Sequence, residues 1–195
     1  MARGSRLPAE IRRGRIVEAA ARLVLERGHL PLRVEHLAAA AGVSKALVHG
    51  YFPDPHALFN AVLAREFADL ESAGLEAASR SGDLESAALA CACLYFRHVS
   101  ARGPVAHVIL RDPYMAGRLD AGIAARRDRP MRRLARLVRR ELDLPPDEAV
   151  AAISLATAIP EDAGRLVWQG DIAPAAGAEL CDRLTRAAID ALRPA

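Results

Sequence analysis

Ser44, Lys45, His49 and Tyr51 lie within eight positions of one another in "AGVSKALVHGYF", residues 41–52. A hydroxyl, an ammonium, an imidazole and a phenol at that density suit the gripping of an anion. Acid–base catalysis is the rival chemistry, and the chain offers it little. There is no nucleophile elbow, no phosphate-binding loop and no metal-spaced cluster. Lys45 is the only lysine in a chain whose other basic residues are all arginine. It follows Ser44, a good helix N-cap, so it would stand at a helix N-terminus, where free N–H groups and the positive dipole end attract phosphate.

Two short helices joined by a tight turn position these groups. Val34, Leu37, Ala38 and Ala41 recur at helical spacing, Gly42 suits a turn that needs positive φ, and the next helix runs from about Lys45 to Phe52. At about 100° per residue, Val48 and Phe52 fall on the inner side. Ala46, Leu47, His49 and Gly50 fall on the outer side, with Tyr51 at the flank. Residues 1–52 hold nine basic groups against four acidic ones, a net of +5; the remainder holds eighteen against twenty, a net of −2. A basic head on a slightly acidic body points to a polyanionic partner for the head, with double-stranded DNA fitting the helix-turn-helix.

The rest of the chain reads as helix. The first helix opens at Pro8 and closes at Gly28, with an apolar stripe of Ile16, Ala19, Ala20, Leu23 and Val24. A fourth helix starts at Asp54–Pro55. Later segments are predicted near 83–102, 104–111, 114–142, 146–169 and 174–193. Pro130 is expected to split or restart the third of these and Pro160 to kink the fourth. Strand alternation and repeats are absent from the sequence. The fold class is therefore all-α: an N-terminal three-helix domain with a helix-turn-helix over residues 1–54, then a C-terminal helical domain over 55–195. No apolar run approaches the roughly 18 residues of a membrane span, and "MARGSRLPAEIRRGR" lacks the apolar core of a signal peptide. A cytoplasmic protein with no membrane partner is expected. Three cysteines suggest buried thiols rather than a disulfide framework, and no metal or other cofactor is indicated.

Residues 15–63 resemble the tetracycline-repressor (TetR) family of bacterial transcriptional regulators. The resemblance rests on Gly28, on Val-x-x-Leu-Ala at 34–38, on Ala-Gly-Val-Ser-Lys at 41–45, on Tyr-Phe at 51–52 and on Ala-Leu at 57–58. It implies DNA binding through Arg33, Ser44, Lys45, Ala46, Leu47, His49, Gly50 and Tyr51, with Lys45 on a phosphate. It also implies that the helical domain over 55–195 is a regulatory and dimerisation domain, and with it a homodimer, a palindromic operator, and a small-molecule effector that releases the DNA. The departures are Arg33 in place of a capping Thr or Ser, His49 in place of Tyr, and Pro55 in place of Lys. Ala46, Leu47 and Gly50 carry no polar side-chain atoms, so direct reading of base edges is limited to methyl contacts.

In the body, Tyr95, His98, His107, Tyr114, Glu161 and Trp168 are the candidate effector contacts, in a lining otherwise of Leu, Ile, Val and Ala. The carbonyls near Ile153 to Ala156, freed by Pro160, and the Glu161 carboxylate would be open to a ligand. Eight arginines between positions 126 and 140 read as a solvated face opposite Leu134, Leu137, Val138 and Leu142. Two alternatives differ in kind: a small helical enzyme using Glu161, Asp162 and a histidine as acid and base, and a helical interaction protein with weak DNA affinity. The expected protein is not an enzyme.

Overall fold

The computed structural model describes residues 8–80 and 82–193. Arg3 and Arg6 of the basic head lie outside them. Every regular element among the described residues is helical, and no helix is long and apolar enough to cross a membrane. The chain forms two compact units.

The first unit holds residues up to Glu66 together with Val105–Asp120. Its helices are α1 (Ala9–Arg27), α2 (Val34–Ala41), α3 (Lys45–Tyr51), the first part of α4 (Pro55–Ser72), α7 (Val105–Arg111) and a 3₁₀ turn over Pro113–Met115. The stripe Ile16, Ala19, Ala20, Leu23 and Val24 is buried along its whole length, and meets a core that includes Leu37, Ala38, Val48, Phe52, Phe59 and Val62. Each large apolar side chain so buried contributes about 1.5–3 kcal/mol. Arg13 caps this core with its guanidinium 5.0 Å from the centre of the Phe52 ring. Glu66 is fully buried, with Arg65 at 3.3 Å, and the same Arg65 reaches Glu18 at 2.6 Å.

The segment 105–120 joins this unit through specific bonds. One carboxylate, Asp112, accepts from the Leu30 backbone N–H at 2.8 Å and from that of Tyr114 at 2.9 Å. Asn60 donates to the Arg118 carbonyl and accepts from the Asp120 N–H. The Tyr114 ring stacks on His56 at 4.5 Å and meets Phe59 edge-on. The first compact unit thus extends past residue 54 to Glu66 and takes in Val105–Asp120. Asp54 is a cap: its carboxylate accepts from the His56 N–H at 2.9 Å and starts α4. Helix α4 then runs unbroken past Glu66.

The second unit holds Phe67–Pro104 and the residues from Ala121. It contains the rest of α4, α5 (Leu75–Ala78), α6 (Leu84–Arg102), α8 (Ala121–Leu142), α9 (Pro146–Ala156), α10 (Ala158–Gln169) and α11 (Pro174–Ala191). Helix α6 packs on α10 and α11, and α8 packs on α9. One apolar cluster joins Leu84, Ala87 and Cys91 of α6 to Leu134, Val138 and Leu142 of α8 and Ile153 of α9. Another joins Ala92 and Phe96 to Ala163 and Cys181. Burial pushes the Cys91 and Cys181 thiols up to about 11, so both stay protonated and unreactive at neutral pH.

Two proline expectations change. Pro130 does not split its helix: α8 is continuous from Ala121 to Leu142. The cost of an interior proline, about 3 kcal/mol, is offset by Ile123 buried before it and Leu134, Ala135, Val138 and Leu142 after it. The residues 114–120 that the sequence assigns to that helix instead belong to the 3₁₀ turn and the loop after it. Pro160 does interrupt a helix, but the break falls at Thr157, which keeps right-handed angles (φ −64°, ψ −22°). Pro160 is then in the first turn of α10, where its missing N–H would have had no intrahelical partner.

The arginines of α8 divide between pairing and solvent. Arg126 donates to Glu71 at 3.0 Å and Arg133 to Glu76 at 2.9 Å, while Arg127 and Arg132 share Asp128. Arg126 and Arg133 hold the Glu71 and Glu76 carboxyls below their ordinary range. Depressed carboxyls contribute stability above the ordinary carboxylate pKa, and that contribution is lost as pH falls through the lowered values.

Candidate nucleic-acid interface

Helix α2 ends at Gly42, whose φ of 66° is the left-handed conformation that glycine adopts without a Cβ penalty. The Gly42 N–H bonds to the Ala39 carbonyl at 3.2 Å and the Val43 N–H to that of Ala38 at 3.0 Å, which closes the helix in a Schellman-type turn. Two residues on, Ser44 is extended (φ −77°, ψ 154°), and its Oγ accepts from the Leu47 N–H at 3.2 Å. The cap and the turn fix the angle at which α3 leaves α2.

Within α3, Val48 is buried, as is Phe52 immediately after it. Lys45, Ala46, His49 and Gly50 are exposed, while Leu47 and Tyr51 are half-buried. Val48 and Phe52 are thus on the inner side that helical phase gives them, and of the four outer residues Ala46, His49 and Gly50 are exposed while Leu47 is half-buried. Arg33 is exposed at the N-cap of α2, extended, with no capping bond from its side chain. Arg33, Lys45 and His49 are thus all open to solvent.

Glu35, which sequence reasoning passes over, also belongs to this face. Its Oε1 accepts from Lys45 Nζ at 2.8 Å, with both side chains more than half exposed. That bond holds the Glu35 carboxyl below the usual carboxylate range. The available signal was that Glu35 is the sole acid between positions 33 and 52.

Ser44→Ala should destabilise the protein by about 1 kcal/mol, the usual worth of a side-chain N-cap, and weaken DNA binding in parallel. Urea denaturation and a duplex-binding titration on the same sample check this; unchanged stability would show that the cap does not hold α3.

The effector candidates are dispersed. Tyr95 and Glu161 meet: the Tyr95 hydroxyl donates to Glu161 Oε2 at 2.9 Å across α6 and α10. Burial, reinforced by the Glu161 charge, pushes that hydroxyl well above its ordinary value. His98 is half-buried on α6 and Trp168 is exposed near the end of α10. His107 and Tyr114 belong to the first unit, where Tyr114 is occupied by His56 and Phe59. The Ile153 carbonyl is not open to a ligand, because the Thr157 N–H and hydroxyl both donate to it, at 3.0 and 2.8 Å. Nor is the Glu161 carboxylate vacant, since Tyr95 holds it. A cleft of about 540 Å³ in the second unit is lined by Asp83, Glu85, Glu141, Arg186 and Arg193 among others, and by none of the six candidates.

A capped helix-turn-helix carried by an all-helical chain is an arrangement that DNA-binding regulators use. Residues 16–62 match the family described as bacterial regulatory proteins, tetR family. That match gives the chain an N-terminal domain of the kind found in this family of regulators. Over 70 residues it is 37% identical to the HTH-type transcriptional activator FasR of Mycolicibacterium smegmatis, a match covering 36% of this chain and 32% of that protein. The match thus spans about a third of the curated relative's length. Among solved structures, a TetR-like regulator from Rhodococcus sp. RHA1 is similar with a TM-score of 0.70 at 21% identity, covering 95% of this chain and 99% of that one. The TetR-family regulator PfmR of Thermus thermophilus gives 0.67 at 21%, covering 90% and 97%. A tetR-family regulator from Streptomyces coelicolor gives 0.60 at 26%, covering 94% and 80%.

Proposed function

We propose that this regulator is a homodimeric repressor that holds a palindromic operator and releases it when a small apolar effector binds the second unit. The observation that carries the DNA half is the Ser44-capped α3, along which Lys45, Ala46, His49 and Gly50 are exposed. Phosphates are held by Arg33, Lys45, the N–H groups at the start of α3, His49 and the Tyr51 hydroxyl. Phosphate contacts position the protein without reading sequence. With Ala46, Leu47 and Gly50 facing the bases, specificity comes from thymine-methyl contacts, DNA shape and half-site spacing.

The dimer reading rests on apolar side chains left in solvent on α9, α10 and α11. Leu155 is 76% and Leu184 51% exposed, with Val150, Trp168 and Leu180 alongside. Two copies burying these helices would carry two α3 helices to half-sites about 34–36 Å apart, or a multiple of that. Leu184→Glu should shift the protein from dimer to monomer at micromolar concentration by light scattering. A wild type that is already monomeric would remove the dimer from this reading. Effector recognition is assigned to the Tyr95–Glu161 pair, with His98 and Trp168 as further contacts: an organic molecule carrying one polar group would displace the Tyr95–Glu161 bond inside an apolar helical body.

The test is a gel shift against the chain's own upstream region, with thermal-shift hits from an apolar metabolite screen added to the complex. Hits that stabilise the protein and leave the complex intact would separate a pocket from a switch. Activation is a second reading, favoured by the name of the mycobacterial relative. A promoter–reporter fusion with and without the regulator distinguishes the two signs.

A further inference from the structure

The DNA face carries its own counter-ion. Residues 33–52 contain four groups able to bear positive charge, Arg33, His36, Lys45 and His49, and a single acid, Glu35. That acid is not turned away from the face or tied to a residue behind it. It stands in the first turn of α2 and is held at 2.8 Å by Lys45, the first residue of α3. The pair therefore bridges the two helices of the helix-turn-helix on the side that meets phosphate. Both partners are exposed, so water and salt compete with the bond and it opens readily. A carboxylate beside a phosphate backbone is repelled, and an ammonium engaged by a carboxylate is not free to take a phosphate.

We propose that Glu35 is an affinity-setting residue: it holds Lys45 in the unbound protein, and DNA must break the Glu35–Lys45 pair before Lys45 can reach a phosphate. This rests on the reading of Lys45 as a phosphate contact. The pair penalises every duplex equally, so it lowers non-specific binding and leaves the contribution of operator-specific contacts unchanged. Regulators face a large excess of non-specific sites, and a uniform penalty of this kind weakens binding to all of them while the operator-to-random ratio stays as it is. The first-turn position also lets Glu35 favour α2 through the helix dipole. That role acts on stability and leaves DNA affinity unaltered, so the two separate by measurement.

The experiment is a double-mutant cycle read by fluorescence anisotropy on a random-sequence duplex, between about 50 and 200 mM salt. The four proteins are wild type, E35Q, K45A and E35Q/K45A, each checked for an intact helical fold by its thermal melt. E35Q is expected to tighten random-duplex binding about 2–5-fold, the scale of an exposed ion pair. It should also steepen the slope of log affinity on log salt by up to about 0.9, the share of one fully effective phosphate contact. In the K45A background the same substitution should give a clearly smaller gain. Equal gains in both backgrounds would overturn the proposal, since Glu35 would then act by general repulsion and not through Lys45. A change in base preference with E35Q would also overturn it, because Glu35 would then be reading bases. If K45A leaves random-duplex affinity unchanged, the phosphate reading of Lys45 itself fails.

Discussion

Lys45→Ala lowers affinity for operator and random duplex by a similar factor, roughly tenfold at ~0.1 M salt, the scale of one charge-assisted hydrogen bond. The geometry behind this is the position of Lys45 as first residue of α3, beside N–H groups that only Ser44 partly satisfies. An ammonium there adds a full charge to the positive end of a helix dipole. Because the contact is with phosphate, the ratio of operator to random affinity should hardly move, while the salt slope drops by up to about 0.9. Arg33→Ala should act in the same direction by a comparable amount. A Lys45→Ala protein that keeps its random-duplex affinity and changes base preference would place the side chain in the groove.

Gly164→Ala destabilises the protein although it raises helix propensity. A Cβ at Gly164 would stand 2.7 Å from Val99 Cβ and 2.9 Å from the Phe96 carbonyl oxygen. Those atoms are backbone or fixed to it, so α10 and α6 must move apart. Overpacking of this kind costs roughly 1–3 kcal/mol, against a propensity gain of about 1 kcal/mol. The net loss for alanine is thus up to about 2 kcal/mol, or ~4–8 °C in Tm for a chain of this length. Gly164→Val gains less propensity and overpacks more, so its loss is greater. Gly14→Ala on α1 is the matched control: nothing lies within 4 Å of the added atom, and the substitution should stabilise by about 0.5–1 kcal/mol. Thermal melts of the three variants against wild type check this. A Gly164→Ala protein as stable as Gly14→Ala would mean that α6 and α10 do not touch there.

The first unit was largely legible in the sequence because its signals are local. Helical phase alone separated buried Val48 and Phe52 from exposed Ala46, His49 and Gly50, and Gly42 and Ser44 mark the turn by their own chemistry. The Glu35–Lys45 pair was not legible, because it joins residues ten apart in sequence through the way α2 and α3 cross. The attachment of 105–120 to the first unit rests on Asp112 and Asn60, whose partners lie 82 and about 58–60 residues away, and no periodicity reports contacts at that separation. Pro130 and Pro160 show the limit of a local rule. A proline's effect depends on whether it falls in a first turn and on the burial around it, and both are tertiary facts. The effector candidates were chosen by residue type on a helix face, and only Tyr95 and Glu161 met.

The central claim is that DNA lies against the face built by Arg33 and by α3 with its Ser44 cap. Amide hydrogen exchange of the whole chain, with and without saturating duplex at low salt, tests it most directly. The account predicts slowed exchange in residues 33–51, strongest at the N–H groups of Lys45 and Ala46, which lack helical acceptors at the start of α3. Slowed exchange elsewhere, with residues 33–51 exchanging as fast as in the free protein, would contradict it.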